Sequence, residues 1–191
     1  MRFGRLLLRA TVGGFFVGHG TQKLFGWFGG NGLDATASGF EHLGLHPPKA
    51  QAALAGAAEA GGGLGLALGA ATPLSSAVLV STMLTAINRV HLKNGPWVTK
   101  GGYEYNVVLI AAALAVAELG PGSLSIDALL GRERSGAGIA ALVTALGVIG
   151  AVGAHIASDA LAPPPAPVVA DPASDGSTPE PELDPQPASE S

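Results

Sequence analysis

The chain has 191 residues, of which 48% are hydrophobic and only 13% charged, with 29 Gly, 14 Pro and no Cys. A mean hydropathy of +0.40 with so little charge points away from an ordinary soluble domain and toward a membrane protein. The absence of Cys excludes disulfides, thiolate zinc, iron–sulfur clusters and c-type haem attachment, so any redox chemistry would need a borrowed or diffusible cofactor.

The overall net charge of −4 hides a slightly basic body and an acidic tail. All the Lys and Arg lie in residues 1–161, whereas Asp171, Asp175, Glu180, Glu182, Asp184 and Glu190 fall in residues 162–191 together with most of the prolines. Two regions therefore need separate readings.

Five stretches approach the roughly 20 apolar residues needed to cross a bilayer. The first covers residues 6–28. Arg5 and Arg9 intrude on it and no A-x-A site follows, so it reads as a retained helix rather than a cleaved signal peptide. In the connection after it, His42 and His46 have i, i+4 spacing, which would suit a metal only on a helix; Gly44 and Pro47 argue against one, and no metal is expected.

The second stretch covers residues 50–71. Thr72-Pro73 then suits an N-cap followed by a first-turn proline, giving a tight hairpin into the third stretch, residues 74–92. Asn88, Arg89 and His91 at its end read as a headgroup-level cap. The fourth stretch, residues 103–119, ends at the helix stop Gly120-Pro121. Residues 122–131 read as a short interfacial helix capped by Ser125 and stopped by Gly131. The fifth stretch covers residues 138–161, and the Pro-, Ser- and acid-rich residues 162–191 are expected to be disordered. Arg2, Arg5, Arg132 and Arg134 on one side balance Lys49, Arg89, Lys93 and Lys100 on the other, so charge does not choose an orientation.

Ala57, Gly61, Gly65 and Gly69 recur every four residues and predict a close-packing seam on the second helix, repeated by Gly14 and Gly18 on the first. Glu59 lies about 160° around the helix from Gly61. The second helix thus has protein or water on both sides, centrally in the bundle or at a homo-oligomer contact.

Polar residues inside the stretches mark the candidate site, because an ionisable group at mid-bilayer costs about 2.5–3.5 kcal/mol even on the lenient scale. With Arg9 at zero and about 100° per residue, Arg5 and Lys23 fall near −40° and His19 near −80°. The shared face predicts partners in Glu59 and Glu104, either of which would offset the burial of Arg9 or Lys23. No nucleophile elbow, phosphate loop or basic nucleic-acid patch occurs, so neither nucleotide chemistry nor nucleic acid is expected.

Arg9, Gly18-His-Gly-Thr-Gln-Lys-Leu-Phe-Gly26, Ala58-Glu-Ala-Gly-Gly-Gly63, Gly101-Gly-Tyr-Glu-Tyr-Asn106 and Gly120-Pro-Gly-Ser-Leu-Ser-Ile-Asp127 resemble the DoxX family of small membrane proteins of bacteria and archaea. The resemblance covers about residues 2–130. It implies a four-helix membrane bundle associated with quinone-linked oxidation of thiosulfate, or with a membrane complex that holds a superoxide dismutase and a sulfurtransferase. The family's Arg, His-Gly-x-x-Lys, Glu-x-Gly-Gly and Gly-Gly-x-Glu-x-Asn elements fall on Arg9, His19, Lys23, Glu59, Glu104 and Asn106. The fifth stretch and the acidic tail depart from the family pattern.

The resulting expectation is an all-α, polytopic, transmembrane helical bundle in the plasma membrane. Residues 1–130 form a four-span core, 131–161 add a span and 162–191 are a tail. Function divides three ways. In a non-autonomous subunit of a quinone-linked redox or oxidative-stress complex, Arg9, His19 and Glu59 act in catalysis while Lys23, Glu104 and Asn106 bind a quinone, with no metal, haem or nucleotide. In a membrane scaffold that recruits soluble proteins, the charges are only structural. The third reading is a small transporter, against which no internal repeat is seen.

Overall fold

The computed structural model of the chain describes residues 3–164; the disorder expected of the tail falls outside them from residue 165. The described residues form seven α-helices and no strand: α1 (Phe3–Phe25), α2 (Gly32–His42), α3 (Pro48–Leu68), α4 (Thr72–Ala86), α5 (Glu104–Leu119), α6 (Ile126–Leu129) and α7 (Ala137–Ala160). Helices α1, α3, α4 and α5 carry the first four apolar stretches and α7 the fifth. The amphipathic α2 was not expected; it lies against α1 and α3.

Among the described residues one helix, α7, is long and apolar enough to cross a membrane by length and composition, with a mean hydropathy of 2.1 over its richest stretch. Five such spans were expected. The others fall short for visible reasons: α4 and α5 have 15 and 16 residues, α1 carries Arg5, Arg9 and Lys23, and α3 is diluted by glycine and alanine. A π turn at Ile87–His91 extends α4 by a further turn.

Helices α1, α3, α4 and α5 pack as a ring. Val12 and Phe16 of α1, Leu66 of α3, Leu79 and Met83 of α4, and Leu109 and Val116 of α5 meet at its centre. Helix α7 lies outside the ring against α4 and α5, where Val143 packs with Ala77, Val80, Ala113 and Ala117.

The α1–α3 seam is built from small residues, but not the ones expected. A Cβ on Gly63 would meet the Gly13 carbonyl and the Phe16 Cβ, each at 2.7 Å, and Gly20 lies directly against Gly56 and Ala60. A Cβ on Gly14, Gly18 or Gly61 would meet nothing within 4 Å, and Gly65 faces Ser75 of α4 instead. Strict four-residue spacing rotates by about 40° per step and leaves the face, whereas alternating steps of four and three, as in Gly56, Ala60, Gly63 and Ala67, stay on it.

The outside of the bundle is apolar, with Leu7, Phe15, Leu54, Leu64, Val108 and Ile149 all exposed, while Arg9 and Glu59 are 2% and 5% exposed. Charge inside and large apolar side chains outside invert the pattern of a water-soluble protein and give the chain membrane character.

Candidate functional site

Two groups of buried polar residues stand out, one at the end of the ring where α1 begins and one farther along toward the α1 C-terminus. At the end where α1 begins, the Arg9 guanidinium spreads over three carbonyls. Its Nε donates to Ala67 at 3.0 Å, one terminal nitrogen to Pro121 and the other to Leu124 at 2.5 Å. Arg5 Nη1 donates to the Leu119 carbonyl at 2.6 Å. The planar fork of a guanidinium suits several fixed acceptors at once, so these arginines fasten the α5–α6 connection to α1 and to the end of α3. Among the described residues no carboxylate pairs with Arg9, contrary to the expected partnership with Glu59 or Glu104.

Asp127 completes this cluster. Its carboxylate accepts from the Ala71 and Thr72 amides at 2.7 and 2.8 Å and from the Thr72 hydroxyl at 2.7 Å. It therefore caps α4 from a remote segment. The expectation that Thr72 would be the cap is corrected: Ala71 occupies that position and Thr72 and Pro73 lie in the first turn. Burial alone would raise the Asp127 pKa, but the hydrogen bonds from Thr72 and Ala71 and the charge of Arg132 outweigh it and hold the carboxyl below its ordinary value. Ser125 caps α6 as expected, its Oγ accepting from the Ala128 amide at 3.1 Å.

Farther along, Lys23 Nζ lies 2.5 Å from Glu59 Oε2, with the lysine side chain 28% and the glutamate 6% exposed. This pairing is one of those the shared face predicted. Glu59 points into the ring in register with Leu66, two turns away. Because α3 and α4 run antiparallel with Gly62 against Leu79, Met83 falls at the level of Glu59. Asn106 of α5 donates to the Met83 sulfur at 3.4 Å. The Lys23–Glu59 pair and the Asn106–Met83 contact thus lie at about the same level of the ring, as two separate contacts.

The remaining expected site residues lie elsewhere. His19 is exposed, with its Nδ1 3.1 Å from Gln22 Oε1; its offset of about 80° from Arg9 carries it off the inner face. Glu104 accepts from the Val98 amide at 2.8 Å within its own connection and reaches neither Arg9 nor Lys23. Arg9 and Lys23, about 21 Å apart along one helix, belong to different groups. His42 closes α2 with its Nδ1 2.7 Å from the Ser38 carbonyl, and His46 lies beyond the helix end. No group of three or more His, Asp or Glu able to hold a metal ion occurs among the described residues.

Sequence reasoning missed a third contact. Arg89, in the π turn, donates from Nε to His155 Nδ1 at 2.7 Å and from Nη2 to Asp159 at 2.9 Å, latching α7 to the end of α4. Only the charged end of an otherwise apolar α7 hinted at it.

The six residues do not fit a quinone as one set. Arg9 spends its donors on carbonyls, His19 faces outward and Glu104 is held by a backbone amide. Lys23, Glu59 and Asn106 alone lie at about the same level.

No curated protein and no solved structure matches the chain. The segments around Glu104 and Asp127 lie beyond the residues that the family match covers. The DoxX family model matches residues 4–92, from α1 through the π turn that follows α4, and marks a DoxX domain over that span.

Proposed function

We propose that the chain is a multi-pass plasma-membrane protein that acts as a non-autonomous scaffold within a larger assembly, its buried charges fixing the bundle and its ends recruiting soluble proteins. One observation carries this reading: Arg9, Glu59 and Asp127 each find partners within the chain itself. Buried polar groups satisfied in this way specify a packing arrangement. Exposed Trp27, Phe28 and Trp97 in the connections at the α1 C-terminal end suit the membrane–water interface, where aromatic rings concentrate.

A second reading, a subunit of a quinone-linked redox or oxidative-stress complex with superoxide dismutase or sulfurtransferase partners, is favoured by the Lys23–Glu59 pair. An acid–base pair at about the level of Asn106 is the arrangement in the chain most apt to hold a polar headgroup. One experiment separates the two. The full chain and its Glu59→Gln variant are purified in mild detergent, and both co-purifying proteins and extracted small molecules are identified by mass analysis. The scaffold reading expects the same soluble proteins on both chains and no stoichiometric quinone. A stoichiometric quinone on the wild type that the variant loses would overturn it in favour of the redox reading.

A further inference from the structure

An open cleft of about 640 Å³ lies at the Arg9 end, between the start of α4, α6 and the first turns of α7. Leu74, Ile126, Leu130 and Leu142 line its apolar side, and Arg132 and Arg134 its polar side. Leu74 is 62% and Leu130 57% exposed, so the apolar wall runs directly into the outer surface of the bundle.

From this arrangement we propose that the cleft binds an anionic phospholipid, its phosphate held by Arg132 and Arg134 and an acyl chain lying along Leu74 and Leu142. The charge argument has three parts. Among the described residues neither arginine forms an ion pair, and the three ion pairs that do occur, Lys23–Glu59, Lys49–Asp34 and Arg89–Asp159, all sit at the opposite end. Two carboxylates lie in the cleft. Asp127 is occupied by the Ala71 and Thr72 donors at the start of α4, and Glu133 is an exposed residue between the two arginines. Finally, Gly136 gives α7 no side-chain cap, so the amides of a 24-residue helix begin beside the arginines and tip the otherwise balanced charge of the cleft toward positive. A free anion would use the arginines and leave the leucines exposed; a zwitterionic lipid would use the leucines and gain little from the arginines. An anionic phospholipid uses both.

This inference rests on the chain being embedded in a bilayer, a premise that fails separately if the protein is recovered from cells in the aqueous phase without detergent. The test is native mass spectrometry of the full chain in detergent, titrated with phosphatidylglycerol or with phosphatidylcholine of the same acyl chains. Wild type is expected to prefer phosphatidylglycerol by roughly tenfold or more, and the exposed pair of changes Arg132→Gln and Arg134→Gln to remove that preference. Leu130→Ser is expected to weaken both lipids several-fold while keeping the preference. Equal binding of the two lipids by wild type, a preference that survives the double change, or loss of phosphatidylglycerol to an equal concentration of inorganic phosphate would each overturn the proposal.

Discussion

Arg9 Nη2 donates to the Leu124 carbonyl at 2.5 Å, a contact between residues 115 apart in the chain. It makes the first helix and the α5–α6 connection one unit, with the end of α3 held by the same guanidinium. Arg9→Leu would leave three carbonyls without their donor. Each buried acceptor so stranded costs about 1–3 kcal/mol, and the expected result is a marked fall in thermal stability in detergent, measured by the unfolding midpoint. Arg9→Lys keeps the charge but not the fork and should fall between the two. An Arg9→Leu variant as stable as wild type would remove the structural role assigned to this residue.

Two glycines two residues apart in α3 should behave oppositely. Gly63 faces the Gly13 carbonyl and Phe16, and Gly61 faces open space. Gly63→Ala is expected to push α1 away and destabilise by about 1–3 kcal/mol. Gly61→Ala gains helix propensity, up to about 1 kcal/mol, with nothing to strike. Unfolding midpoints of the two variants check this directly, and equal effects would mean the seam is placed wrongly.

That pair also marks how far the sequence could be read. The apolar stretches announced α1, α3, α4, α5 and α7, and Ser125 and Gly131 bracketed α6, because burial and capping act locally. Long-range pairing was half legible: the face shared by Arg9 and Lys23 pointed to Glu59, and Lys23 took it, while Arg9 found carbonyls. Backbone acceptors have no residue identity to betray them in a sequence. Helix α2 escaped notice because its amphipathic pattern is short and lies between glycines, and the Arg89–His155 contact joins residues 66 apart in the chain, starting from a π turn that no local signal specifies.

Asp127 predicts how stability depends on pH. Its carboxyl is held below the ordinary value in the folded chain by the Thr72 and Ala71 donors, against the opposing effect of burial. A depressed carboxylate contributes stability that is complete above its unfolded pKa of about 3.9 and is lost as pH falls through the lower folded value. Asp127→Asn should therefore destabilise the fold at neutral pH by about 0.5–2 kcal/mol for a weakened helix cap, and lower the midpoint accordingly. The gap between variant and wild type should close below about pH 4. The measurement is thermal unfolding of both chains between neutral and acid pH. A gap that stays constant through that range would mean the carboxylate's charge does not matter.

The Lys23–Glu59 pair predicts an asymmetry. The glutamate side chain is 6% exposed and the lysine 28%, so the two ions do not lose the same amount when left alone. Lys23→Met strands a carboxylate inside the ring. Glu59→Gln strands an ammonium on a long stem that can turn toward the interface. Lys23→Met is accordingly expected to cost more, on the order of 2–4 kcal/mol. The double variant should recover part of the loss, giving a coupling of about 0.5–3 kcal/mol. His19→Ala, outside the inner face, is the control and should leave the midpoint unchanged. If Glu59→Gln instead costs as much as Lys23→Met and the double variant shows no coupling, the two residues act separately. That level of the ring would then hold a third group that each of them contacts on its own.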